Sequence, residues 1–241
     1  MTEGNTAVKP ADPTRGNYNF TGWYTDQALT NVYDFGTSVT ADITLYAKWD
    51  WTGDGITLPY TDINQNLWYN KAICYTYQNG LMAGTSNTTF EPASSLTREM
   101  FVTILYRMAG NMGMDTSAPA SSFSDVPVGQ WYSDAIAWGA SNNIVGGYDS
   151  NTFGLGDNVT REQMAALFVR FAEYAGITLG TDSGSTFSDS STVSGWAVND
   201  VIKASAAGLF SGDNGNFKPL ANATRAEAAQ VFMNFCQLYV D

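Results

Sequence analysis

Apolar residues recur at helical spacing in three stretches of the chain. They are Phe101, Ile104, Leu105 and Met108; Met164, Leu167, Phe168 and Phe171; and Val231, Phe232 and Phe235. Residues three and four apart share one helix face, so each stretch predicts an amphipathic helix. Thr97, Thr160 and Thr224 stand where an N-cap is needed. Thr160 with Gln163, and Thr224 with Glu227, have capping-box spacing; Thr97 with Met100 does not. A second set of helices is predicted from Trp68 to Asn79, Trp131 to Asn142 and Trp196 to Ala207. Each is followed or ended by Gly80, Asn143 or Gly208, residue types that accept the left-handed conformation closing a helix. Before residue 52 the pattern changes. Tyr18 to Phe20, Gly22 to Tyr24 and Ile43 to Trp49 are aromatic and strand-like, a β-rich element too short to be well stabilised alone.

The helical part is an internal repeat with a period of about 63 residues. Aligned columns hold Tyr60-Thr-Asp62, Phe123-Ser-Asp125 and Phe187-Ser-Asp189, then Trp68, Trp131 and Trp196, then Gly84, Gly147 and Gly212. Phe90, Phe153 and Phe217 follow, with Pro92 and Pro219 after the first and third and Leu155 in the second. The polar stretches Gly110 to Ser122 and Gly176 to Thr186 read as linkers. The expected division is 1–52 for the β-rich element and linker, then repeats at 53–113, 114–180 and 181–241. Each repeat holds an amphipathic helix that cannot bury its stripe alone. The simplest result is a mainly α fold with a pseudo-threefold central three-helix bundle.

Composition removes several functions. The chain is 44% hydrophobic and 14% charged, too apolar for disorder, and its net charge of −12 opposes binding to nucleic acid or an anionic membrane surface. It has no histidine, which removes the commonest general base and most zinc and copper sites. No metal or cofactor is expected, and no full twelve-residue calcium pattern occurs. Cys74 and Cys236 lie beside apolar residues in helical patterns and read as buried free thiols, a bridge between them being the alternative. No run of apolar residues is long enough to span a membrane. Met1 to Pro13 is polar and no signal peptide is visible; the preferred reading is a piece of a longer exported protein.

Arg98, Arg161 and Arg225 each follow the capping threonine, at the electropositive end of a helix. A cation there is locally unfavourable by roughly 0.3–1 kcal/mol. Its repetition points to an anionic partner, on which a guanidinium fork and free N–H groups can converge. The competing reading pairs each arginine with a carboxylate such as Asp62, Asp125 or Asp189. Arg107 and Arg170, with Asn234 in the third copy, read as solvated helix residues.

The Phe-Ser-Asp start, the helix-opening tryptophan, the glycine turn, the Phe-x-Pro connector and the Thr-Arg-Ala-Glu helix start resemble the surface-layer homology (SLH) family over about residues 57 to 241. The Thr-Arg-Ala-Glu motif is complete only at Thr224 to Glu227; in the other copies glutamate is Glu99 or Glu162, one place earlier. The resemblance implies a three-pronged spindle with the second helices at its centre. It also implies non-covalent anchoring to a bacterial secondary cell-wall polysaccharide, often pyruvylated, bound in grooves between prongs. Localisation is then extracellular, at the cell surface, in a monomeric module of a larger protein. Tyr18 to Trp49 resembles the second half of an internalin-B-type (Listeria–Bacteroides) repeat, with its first strand missing.

The candidate ligand-binding residues are Arg98, Arg161 and Arg225; Trp68, Trp131 and Trp196; and Gly84, Gly147 and Gly212. A ketal carboxylate matches a bidentate guanidinium. The tryptophans suit sugar stacking, or alternatively anchor the first helices in the core. The glycines expose backbone N–H groups, or simply make tight turns. Catalysis is not expected: the repeated glutamates sit where helix capping explains them, and a glycosidase needs two carboxylates across one bond. The alternative function is a lattice-forming self-association module with arginines bridging subunits.

Overall fold

The computed structural model describes residues 5–26, 29–53, 55–179 and 187–240. Part of the predicted linker, from residue 180 to Thr186, lies outside the described residues. The chain divides into two compact units, Met1–Thr57 with Phe235–Asp241, and Leu58–Asn234. The repeats, from Leu58 as far as Asn234, therefore share one unit rather than forming three.

In the first unit, β1 (Tyr18–Tyr24) and β2 (Tyr46–Trp51) pair antiparallel. Phe20 lies opposite Trp49 with ring centroids 5.4 Å apart, edge to face, the kind of cross-strand pair that stabilises a small sheet. The register shifts between Phe20 and Gly22. An isolated bridge joins Thr6 to Ser38.

The helices are α1 (Asn70–Gln78), α2 (Arg98–Asn111), α3 (Ser133–Ser141), α4 (Arg161–Tyr174), α5 (Val198–Ala206) and α6 (Arg225–Tyr239). Each first helix starts two residues later than predicted. Trp68, Trp131 and Trp196 lie in the turn ahead of it; in the first repeat, the Asn70 N–H still bonds Leu67 and the first helical bond runs from Ile73 to Tyr69. Gly80, Asn143 and Gly208 have φ of 66°, 58° and 74°, so the left-handed closure is present in all three repeats.

The apolar faces of α2, α4 and α6 meet. Ring centroids of Phe101, Phe168 and Phe232 are 5.5, 5.3 and 4.7 Å apart, and all three side chains are fully buried. Just ahead of these helices, the Val159 N–H donates to Leu96, the Ala223 N–H to Val159 and the Leu96 N–H to Ala223, each at 2.9 Å. This closed ring of three bonds satisfies backbone groups that would otherwise be orphaned beside a helix start. Cys74 and Cys236 are both buried and form no disulfide with each other.

Candidate functional site

The helix-start arginines are buried, at 6, 7 and 6% exposure for Arg98, Arg161 and Arg225. Each reaches into another repeat. Nε of Arg98 donates to the Phe153 carbonyl (3.3 Å), that of Arg161 to Phe217 (2.6 Å) and that of Arg225 to Phe90 (2.7 Å). The order is cyclic: first to second, second to third, third to first. Nη2 of Arg98 also donates to Gly146 (2.9 Å), and that of Arg225 to Ala83 (2.6 Å). Arg161 differs, pairing through Nη1 with Glu227 at 2.6 Å.

The competing reading, in which each arginine pairs with Asp62, Asp125 or Asp189, is not what the structure has: no such ion pair occurs among the described residues. Those carboxylates instead hold the same phenylalanines from the other side. Asp62 accepts the N–H groups of Phe90 and Glu91, Asp125 those of Phe153, Gly154 and Leu155, and Asp189 those of Phe217 and Lys218. Burial raises the pKa of each aspartate, but the amide bonds together outweigh it and leave all three below the usual carboxylate value. They also hold Glu91 and Lys218 at positive φ, 59° and 57°, which a side chain otherwise resists. Each connector is thus gripped by an aspartate of its own repeat and an arginine of another.

Gly84, Gly147 and Gly212 are glycines because of close approach. A Cβ on Gly84 would collide with the Thr89 carbonyl and the Tyr60 ring, on Gly147 with Thr152 and Phe123, and on Gly212 with Phe187. The Gly84 N–H is taken by the Tyr60 hydroxyl at 2.7 Å. These glycines shape the turn, and that turn lines a groove.

Three grooves are built on one plan, and every repeat contributes to each. The first is lined by the turn Met82–Thr85, the α2 face Met100, Thr103, Ile104 and Arg107, Trp131 from the second repeat and Arg225 from the third, enclosing about 410 Å³. The second joins Val145–Tyr148, the α4 face Gln163 to Arg170, Trp196 and Arg98, about 170 Å³. The third joins Leu209–Asp213, the α6 face Glu227 to Asn234, Trp68 and Arg161, about 620 Å³. The structure thus brings together an arginine, a glycine turn and a tryptophan, all from the predicted set, in every groove. The core-anchor alternative for the tryptophans is overturned: Trp68, Trp131 and Trp196 are 59, 57 and 55% exposed.

Arg107 and Arg170 read as solvated, yet both line grooves, and Nη1 of Arg107 donates to the Leu81 carbonyl at 3.0 Å. Asn234 makes the corresponding bond to Leu209 at 3.1 Å. Their signal is present in the sequence: the third helical residue, and those three, four and seven further on, form one face. The groove cations are uneven. Among the described residues, Arg98, Arg107, Arg170 and Arg225 make no ion pair. Burial lowers the pKa of Arg98 and Arg225, opposed by more distant groups such as Tyr148 and Asp157 for the one and Glu91 for the other; both remain cations.

The chain belongs to the S-layer homology domain family, which matches residues 59–99, 122–165 and 186–229. The Listeria-Bacteroides repeat domain matches residues 1–48, a wider stretch than Tyr18 to Trp49. The chain is similar to an endoglucanase of Bacillus sp. (strain KSM-635), 34% identical over 175 residues, covering 72% of this chain and 18% of the relative. It is similar to an amylopullulanase of Thermoanaerobacterium thermosulfurigenes, 32% identical over 71% of this chain and 9% of the relative. It is also similar to the S-layer protein sap of Bacillus anthracis, 29% identical over 73% of this chain and 21% of that protein. The chain therefore spans less than a quarter of the length of these relatives, and the enzymes among them match only through this repeat region. The family makes this a surface-anchoring module, located at the cell surface in association with the cell wall.

Proposed function

We propose that the chain anchors a larger bacterial surface protein non-covalently by binding an anionic, pyruvylated secondary cell-wall polysaccharide. The repeats act as a three-pronged, pseudo-threefold spindle around a central bundle of α2, α4 and α6, and the polymer lies in the grooves between prongs. The observation that carries this reading is the composition of each groove: a buried arginine, a tight backbone turn and a half-exposed tryptophan, supplied by three different repeats. An exposed indole beside a fixed cation suits a sugar ring bearing a carboxylate. Related grooves on one polymer add avidity that no single contact supplies.

Co-sedimentation with purified wall sacculi tests it. Binding is expected to native sacculi and to be lost after mild acid removes the ketals. Undiminished binding to ketal-free sacculi would exclude the carboxylate.

A further inference from the structure

The two junctions between successive repeats are built alike and filled differently. Helix α3 packs against α2, and α5 against α4. Helices α2 and α4 close in the same way. Gly113 and Gly176 have φ of 73° and 70°, and the next N–H returns to the helix, Met114 to Ala109 at 3.0 Å and Ile177 to Ala172 at 2.8 Å. Asp115 and Thr178 are therefore equivalent, each two residues past the closing glycine.

The first junction is packed by the sixth residue of α3, Trp138, which is fully buried. Its ring lies edge to face against Tyr106 of α2, with centroids 5.7 Å apart, and its Nε1 donates to the Asp115 carbonyl at 3.3 Å. The sixth residue of α1, Tyr75, is buried likewise. The sixth residue of α5 is Lys203. It is exposed, and its ammonium pairs with exposed Glu173 at 3.1 Å. Val169 stands in α4 where α2 has Tyr106. An aliphatic side chain and an exposed cation thus replace two aromatic rings.

The result is a cleft of about 590 Å³ at the second junction. Val169, Ala172 and Leu179, all buried, form its apolar wall; Lys203 and Glu173 line it with their ion pair. Thr178, the equivalent of the residue that accepts the Trp138 N–H, lines it too. Water gains few hydrogen bonds against such a wall, whereas a planar aromatic side chain has 150–250 Å² of surface to bury, on the order of one ring per cleft of this size. The cleft shares no lining residue with the three grooves.

We propose that this cleft receives an indole from outside the chain, the tryptophan side chain of a partner polypeptide, seated as Trp138 is seated in the first junction. The ring lies against Val169, Ala172 and Leu179, and its N–H bonds the Thr178 carbonyl. Lys203 and Glu173 present one charge of each sign and cancel, which suits the uncharged amides of a peptide backbone better than a charged ligand.

The test follows the methyl signals of Val169 and Leu179 in the ¹H–¹³C spectrum of the full chain. The probes are an acetylated and amidated Gly-Trp-Gly peptide, the same peptide with alanine in place of tryptophan, and free indole. The tryptophan peptide is expected to shift both methyl signals saturably and the alanine peptide to leave them in place. Lys203→Trp fills the cleft from within, as Trp138 does at the first junction. It is expected to raise the thermal midpoint by several degrees and to remove the response to the peptide. Val169→Tyr, which restores the residue type of Tyr106, narrows the cleft without touching α5 and is expected to weaken the peptide at least about tenfold. No saturable shift with the tryptophan peptide, an equal shift with the alanine peptide, or an undiminished response in both variants would overturn the proposal. A response to free indole alone would assign the cleft to a small molecule and overturn the partner polypeptide.

Discussion

The first and third repeats open their second helices with the same Thr-Arg pair and diverge at once, Glu99-Met100 in the one against Ala226-Glu227 in the other. Arg225 serves the groove lined by Met100, and Arg161 the groove lined by Glu227. Both arginines donate Nε to the carbonyl of a buried connector phenylalanine in another repeat. Only Arg161 has a carboxylate on its remaining edge. The difference separates two duties of one side chain. Stitching repeats together requires the arginine and a carbonyl, and this part is the same in each copy. How its charge is presented to the groove depends in addition on the facing helix position, and this part varies.

The largest effect should come from removing the stitch. Arg225→Ala strips partners from the carbonyls of Phe90 and Ala83, to which a charged donor was bonded. A loss of about 2–3 kcal/mol is expected in urea unfolding. Arg225→Lys should recover only part of it, since an ammonium lacks the fork that spans both carbonyls. Stability unchanged in Arg225→Ala would mean that the arginine serves the groove alone and that the two duties are not shared.

A second effect acts on all three grooves together. Asp62, Asp125 and Asp189 titrate below an unfolded carboxylate, as burial is outweighed by the connector amides. A depressed folded pKa means the stabilisation is full above the unfolded value of about 4 and is lost as pH falls through the folded values. Urea midpoints should therefore be flat near neutrality and drop below about pH 4. Asp125→Asn should blunt that drop while lowering the neutral-pH plateau. A midpoint independent of pH down to about 3 would contradict the carboxylate grip on the connectors.

Much of this geometry is readable in the sequence, and what is not has a definite cause. The second helices, the threonine caps at Thr160 and Thr224 and the left-handed closures at Gly80, Asn143 and Gly208 follow from local rules, and the structure has them. Gln163 completes its box with Thr160; Met100 offers no side chain for the reciprocal bond, and Thr97 Oγ1 is buried without a partner. The tryptophans are ambiguous in the sequence because a large aromatic before a helix serves a core and a surface equally well; only packing decides. The aspartate–arginine pairing fails because spacing cannot reveal that a carbonyl, held in place by the aspartate, stands between the two. Arg107 and Arg170 read as solvated because the groove they line is completed by residues from other repeats.

The smallest folding effect is the most pointed test of the comparison. Met100→Glu rebuilds in the first repeat what Glu227 does in the third. The new carboxylate stands three residues after Thr97, the spacing of a capping box, and the unpartnered Thr97 hydroxyl gains a partner. Helix α2 should gain about 0.5–1 kcal/mol. The same carboxylate would face Arg225 as Glu227 faces Arg161, and so supply in the first repeat the glutamate of the motif that is complete only at Thr224 to Glu227. Binding to native sacculi should then be kept, since glutamate and arginine belong to that motif together. A more stable protein that sediments as before would show that one helix position serves capping and anchoring at once. If stability rises and sedimentation is lost, then capping and ligand binding compete for that position, and the contrast between Met100 and Glu227 is one of groove chemistry rather than folding.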